Sequence, residues 1–107
     1  MNGELLKGHL DLLLLAAIAR RPAHGYAIIV ALREDSDGAF DLPEGTVYPA
    51  LHRLEQAGLL ASDWQNVDGR RRRVYHVSAA GLVALVERRE LWRNFASGVT
   101  AVLGEAR

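Results

Sequence analysis

The sequence predicts a mainly α fold with a small antiparallel β-hairpin, and three patterns predict it. Val47, Ala50, Leu51 and Leu54 recur at helical spacing, so at about 100° per residue they form one apolar stripe. Two short segments carrying Trp64, Val74, Tyr75 and Val77 flank Asn66-Val67-Asp68-Gly69, which suits two strands and a turn. A long helical pattern then follows Ser78, a good helix N-cap.

The elements can be placed in chain order. Residues 4–20 read as a first helix, with Leu5, Leu6, Leu10, Leu13, Leu14 and Ala17 on one side and Leu12, Leu15 and Ile18 making it apolar nearly all round. Pro22 ends it, because the residue before a proline is pushed out of the helical region. Gly25 to about Glu34 is the second helix, facing inward with Ile28, Ile29 and Leu32, and Asp35-Ser36-Asp37-Gly38 is a turn. The third helix runs from about Glu44 to Ala57 and is stopped by Gly58. Pro49 lacks the N–H that would bond toward Gly45, so a slightly irregular start is expected. Leu59 to Val67 and Arg72 to Val77 are the hairpin strands, with arginines at the tip and on the return strand. The last helix spans about Ala79 to Leu103. Residues 1–78 are thus expected to form one functional unit and residues 79–107 a helix joined to it, within a single compact domain.

Composition narrows the chemistry. Half of the 107 residues are apolar and 24% are charged, the balance of a globular protein. The longest apolar run, Leu12 to Ala19, falls far short of the roughly 20 residues that cross a bilayer, and no signal-peptide layout precedes it. A cytoplasmic protein with no membrane partner is expected. There is no cysteine, and the histidines at 9, 24, 52 and 76 lack the close spacing of helical metal ligands, so no metal and no cofactor are expected. No nucleophile–base order, phosphate-binding glycine loop or carboxylate pair can be assembled, so the chain is not read as an enzyme.

Net charge is zero, but its distribution is uneven. From Glu34 to Asp68 eight acids face one base, Arg53, and then Arg70, Arg71, Arg72 and Arg73 follow without interruption. Three helices and a hairpin in this order form a winged helix-turn-helix, whose third helix enters the DNA major groove while the hairpin, or wing, flanks it. Thr46, Tyr48 and Pro49 lie near the start of that helix, and His52 and Arg53 follow one turn later, in reach of phosphates or guanine acceptors. The four arginines suit phosphates or a narrow minor groove. His24 and Tyr26 open the second helix, where backbone N–H groups can hold a phosphate, although His24 can equally cap that helix. The expected partner is double-stranded DNA.

Leu6-Lys7-Gly8 and Leu10-Asp11, His24-Gly25-Tyr26, Gly45 through Glu55 with Gly58-Leu59-Leu60, and Gly69 through Arg73 with Tyr75 and Gly81 form one further pattern along the chain. On these residues the chain resembles the PadR transcriptional regulators. The resemblance covers about residues 5–82 in order. Val74 and Ser78 depart from it, standing where the family usually has tyrosine and threonine. The resemblance implies a dimeric repressor on a promoter-proximal palindrome, released in some members by a small molecule. The single-helix tail looks like the smaller PadR subgroup, which includes multidrug-sensing members. The competing reading is a winged-helix protein–protein module, which has no need of four adjacent arginines beside such a helix.

Two expectations concern the last helix. Leu85, Trp92 and Val99 are spaced by seven, with Leu82, Ala96 and Leu103 on a neighbouring line, so they read as a homodimer seam that also includes Phe95. Trp92, Leu85 and Phe95 would line a gap for a small hydrophobic or aromatic effector near the two-fold axis, though Trp92 also suits plain interface core. In multidrug-sensing relatives a tryptophan at the matching place stacks on ligands, so the resemblance implies the same role for Trp92.

Overall fold

A computed structural model describes residue 6 and residues 8–105. Four helices and a three-stranded antiparallel sheet lie wholly within the described residues, in the order α1 (Leu10–Arg20), β1 (Ala23–His24), α2 (Gly25–Asp35), α3 (Glu44–Gln56), β2 (Leu60–Val67), β3 (Arg70–Val77) and α4 (Ala79–Leu103). The expected first helix is interrupted near its start: Leu6 is helical, but Gly8 and His9 form a turn closed by the His9 N–H on the Leu6 carbonyl at 2.9 Å before α1 begins at Leu10. Residues 4, 5 and 7 of that expected helix lie outside the described residues. Helix α1 buries Leu10, Leu14, Leu15 and Ile18. Leu12 and Leu13 are only half-covered, packed against the core from its margin.

The short strand β1 was not expected. Ala23 and His24 pair with Tyr75 and Val74 at the edge of β3, giving the strand order β1-β3-β2. Two residues carry too little periodicity to be read from sequence. Their pairing nevertheless fixes where α2 starts, because His24 is also its N-cap: Nδ1 accepts the Ala27 N–H at 3.4 Å. At the far end of α2 the Ser36 hydroxyl donates to the Leu32 carbonyl at 2.6 Å and accepts the Phe40 N–H at 2.9 Å. That local closure turns the chain toward α3.

Helix α3 buries the four residues of its apolar stripe, Val47, Ala50, Leu51 and Leu54. It runs unbroken through Pro49, and Gly58 ends it with φ +80° while the Leu59 N–H returns to the Leu54 carbonyl. The hairpin is longer and tighter than expected. Only Asp68 and Gly69 form the turn, both with positive φ, at 52° and 77°, the signature of a two-residue type I′ turn whose twist matches paired strands. Val67 opposes Arg70, so Arg70 and Arg71 belong to the strand and are not loop residues.

Ser78 joins the sheet to α4. Its hydroxyl accepts the Gly81 N–H at 3.0 Å and donates to the Gly58 carbonyl at 2.6 Å, so one side chain caps α4 and ties it to the end of α3. The core lies between α1, α2, α3 and the inner face of the sheet, with Leu60 and Tyr75 contributed by β2 and β3. From α4 it receives Leu85. Helix α4 is about 37 Å long at 1.5 Å per residue, and beyond Leu85 it buries nothing. This overhang explains an envelope of 52 × 28 × 22 Å. No helix among the described residues is long and apolar enough to cross a membrane.

Candidate nucleic-acid interface

The apolar stripe of α3 determines what the helix presents on its other side. Gly45, Pro49, His52 and Gln56 lie on the outward ridge, about 180° from the stripe, and all four are exposed. The first two turns of this ridge carry no side-chain hydrogen-bonding group. They let the backbone approach a groove closely, while His52 and Gln56 are left to make polar contacts. Gln56 was not among the expected contacts. Thr46 is half-buried on one flank, and Tyr48 is 39% exposed on the other.

Tyr48 is held by the residue beneath it. Its ring lies across Gly25, and a Cβ there would overlap Cε1, Cζ and Oη of the tyrosine. Gly25 is therefore a requirement of close approach, because it lets the start of α2 meet α3. Tyr26, in the first turn of α2, stays 56% exposed. His24 is half-buried, and burial first and the charge of Arg72 second hold its imidazole below the ordinary value of 6.5, with Asp68 pulling the other way. A neutral ring suits its capping bond, since Nδ1 must be unprotonated to accept.

Arg53 differs from the expectation of a guanidinium free to read bases. It grips Asp11 of α1 with two bonds, Nη2 to Oδ1 at 2.8 Å and Nη1 to Oδ2 at 3.1 Å. Arg88 of α4 reaches the same carboxylate at 3.2 Å. The Asp11 carboxyl is held below its ordinary value of 3.8, chiefly by the Arg53 hydrogen bond and against the opposing effect of burial. Arg53 is still 57% exposed, but it is a junction between three helices before it is anything else. Asp11, missed as a site residue, lies 42 and 77 positions from its partners, a separation that no local pattern encodes.

The wing divides its arginines. Successive strand residues face opposite ways, so Arg71 and Arg73 share one face and Arg70 and Arg72 the other. Trp64, directly opposite Arg73 on β2, lies on the first face, and the Arg71 and Arg73 guanidinium carbons stand 5.5 Å and 5.7 Å from its ring centre. Arg73 also meets Glu55 of α3 at 3.5 Å, and the Ser62 hydroxyl donates to that carboxylate at 2.7 Å. On the other face Arg72 is half-buried, with a buried Nε that has no protein partner. Arg70 is exposed beside the turn.

The last helix corrects one expected position and leaves the others wholly or partly open to solvent. Leu85 is 4% exposed and packs in the core of its own protomer, because α4 crosses α1 there; it is unavailable to a seam or a ligand. Leu82, Trp92, Phe95, Val99 and Leu103 are exposed, and Ala96 is half-buried. Trp92 meets the edge of the His9 ring at 5.1 Å and lies 6.2 Å from Phe95. An open groove of about 510 Å³ runs along this side, bounded by His9 and Leu12 of the α1 region and by Arg88, Leu91, Trp92 and Phe95 of α4.

Comparison with known proteins agrees with this geometry. The profile described as the Transcriptional regulator PadR-like family matches residues 14–87. A transcriptional regulator of Mycobacterium tuberculosis is 46% identical over 67 residues, 63% of this chain and 63% of that protein, so the match spans less than two thirds of that relative. A PadR-like transcriptional regulator from Bacillus cereus has a crystal structure that matches with a TM-score of 0.85 at 26% identity, covering 97% of this chain and 100% of that one. A PadR family regulator from Eggerthella lenta matches at 35% identity with a TM-score of 0.77, over 94% of this chain and 86% of that one. With the profile covering well over half the sequence and the winged-helix fold in agreement, the chain belongs to the PadR-like family of transcriptional regulators, which bind DNA and are not enzymes.

Proposed function

We propose that the protein is a cytoplasmic homodimeric repressor that binds a palindromic promoter site through α3 and the wing. The observation that carries this reading is the joint exposure of the α3 ridge and the wing arginines beside it: a helix bare enough to enter the major groove, flanked by cations for the phosphates. In this reading Tyr48 and His52, with Gln56, supply sequence preference. Thr46, Pro49, Tyr26 and His24 set the approach, and Arg70 to Arg73 supply charge-driven affinity. Arg53 reaches DNA only by giving up Asp11. The repressor role and release by a signal follow from the family resemblance.

The homodimer is supported by the free half of α4, where Leu91, Trp92, Phe95, Val99, Val102 and Leu103 are all at least 40% exposed. So much contiguous apolar surface on one helix marks a contact surface. A planar aromatic effector has a place in the groove beside Trp92, with Phe95 and Leu91 as its apolar walls and His9 across from them. Leu85 takes no part in that groove.

Selection of bound duplexes from random DNA tests the main reading. The expected result is an inverted repeat with half-sites one helical turn or a multiple apart, about 10–10.5 base pairs per turn. A single unrepeated half-site would overturn the dimeric mode. Absence of any salt-sensitive duplex binding would favour the protein–protein module instead.

A further inference from the structure

Trp64 is an unusual residue to find 54% exposed on a two-stranded wing. Burial in the core does not account for it, since its strand neighbours Asp63, Gln65 and Asn66 are exposed as well. What it touches are two of the four arginines, one directly opposite and one diagonal to it on the facing strand. Both guanidinium groups are within the roughly 6 Å at which a cation is held over an indole face. Resting on the DNA-binding reading above, we propose that Trp64 is a positioning residue of the wing, whose ring holds Arg71 and Arg73 side by side so that they meet DNA phosphates already ordered.

The physical reason is conformational. An arginine side chain in water samples many rotamers, and fixing it on a phosphate costs that freedom at the moment of binding. An indole face restricts the guanidinium plane beforehand while leaving its N–H edges outward, and those edges are what form bidentate bonds to phosphate oxygens. The two arginines depend on the ring unequally. Arg73 has a second restraint in Glu55, itself held by Ser62. Among the described residues no ion pair engages Arg71, so its order depends on Trp64. Arg70 and Arg72, on the opposite face, lie outside the stack.

The test uses the full chain and a random-sequence duplex, because phosphate contacts need no operator. Trp64→Leu keeps apolar bulk but removes the π face. It is expected to weaken binding by roughly five- to thirty-fold, within the range for having to order two rotamer-rich side chains at the moment of binding, and to flatten the dependence of binding on salt. Trp64→Phe should recover part of both. In an Arg71→Ala background the Trp64→Leu loss should shrink, since the pair acts as one unit. In a Trp92→Phe background, where Trp64 is the sole indole, Arg71→Ala should shift its emission without DNA present. Wild-type affinity and salt slope in a folded Trp64→Leu variant, or losses that simply add to those of Arg71→Ala, would overturn this inference alone. Should Trp64→Leu fail to fold, an unchanged emission on Arg71→Ala would overturn it instead. If the wild-type chain shows no salt-dependent duplex binding, the DNA reading fails and this one with it.

Discussion

Asp11 accepts hydrogen bonds from two arginines that approach from different helices, and its own side chain is only 18% exposed. Removing its charge would leave Arg53 and Arg88 facing each other without a counter-ion. Because both arginines are themselves well exposed, solvent screens the triad, and its contribution is on the order of 1 kcal/mol. The sign of its pH dependence follows from the lowered pKa of Asp11. A carboxyl depressed in the folded state stabilises above its unfolded value, near 3.8, and that stability is lost as pH falls through the lower, folded value. Asp11→Asn is therefore expected to lower urea-unfolding stability at neutral pH by about 1 kcal/mol, with the gap to wild type closing below pH 3.8. A gap independent of pH would mean that packing, and not charge, makes Asp11 matter. The family resemblance singled out Asp11 without giving its partners, whereas the exposure of Tyr48 and His52 could be read directly from their places away from the apolar stripe.

At the scale of elements, legibility followed the length of the repeating pattern. Helix α3 has four stripe residues, and all four are buried; α4 begins where Ser78 marks its cap and ends before Gly104 in the left-handed region. The start of the return strand was misplaced because arginine has little strand preference, while pairing across a type I′ turn draws Arg70 and Arg71 into the ladder opposite Val67 and Asn66. Leu85 was assigned to the partner because heptad spacing reports that residues share a helix face, not which body that face meets. Its burial changes how the dimer should be tested. Cutting after Val83 would remove Leu85 from the core and unfold the protomer for an unrelated reason. Ending the chain at Arg89 keeps Leu85 and the Arg88–Asp11 bond while deleting the exposed half of α4. That shortened chain is expected to be a folded monomer in sedimentation velocity, against a dimer for the full chain; a dimer from both would place the interface elsewhere.

Taken whole, the molecule has no net charge, so its attraction to a polyanion depends on orientation: the wing must face the duplex and the acidic flanks must not. Within that arrangement the turn of the wing carries a contradiction. Asp68, at φ 52°, stands next to the arginine ladder and is exposed at the part of the hairpin that projects farthest from the core. Its backbone conformation favours Asn or Asp, and asparagine would serve the turn equally well without a charge. Asp68→Asn should leave folding unchanged and tighten binding to random-sequence duplex by about two- to five-fold at low salt, less as added salt screens the repulsion. Equal affinity for both forms in a fluorescence-anisotropy titration would show that the turn never nears phosphate. On the proposed mode of binding, the acid would make the wing repel the backbone it grips, so that unrelated DNA would be vacated sooner. Search time on a chromosome, set by how briefly each wrong site is occupied, would shorten accordingly.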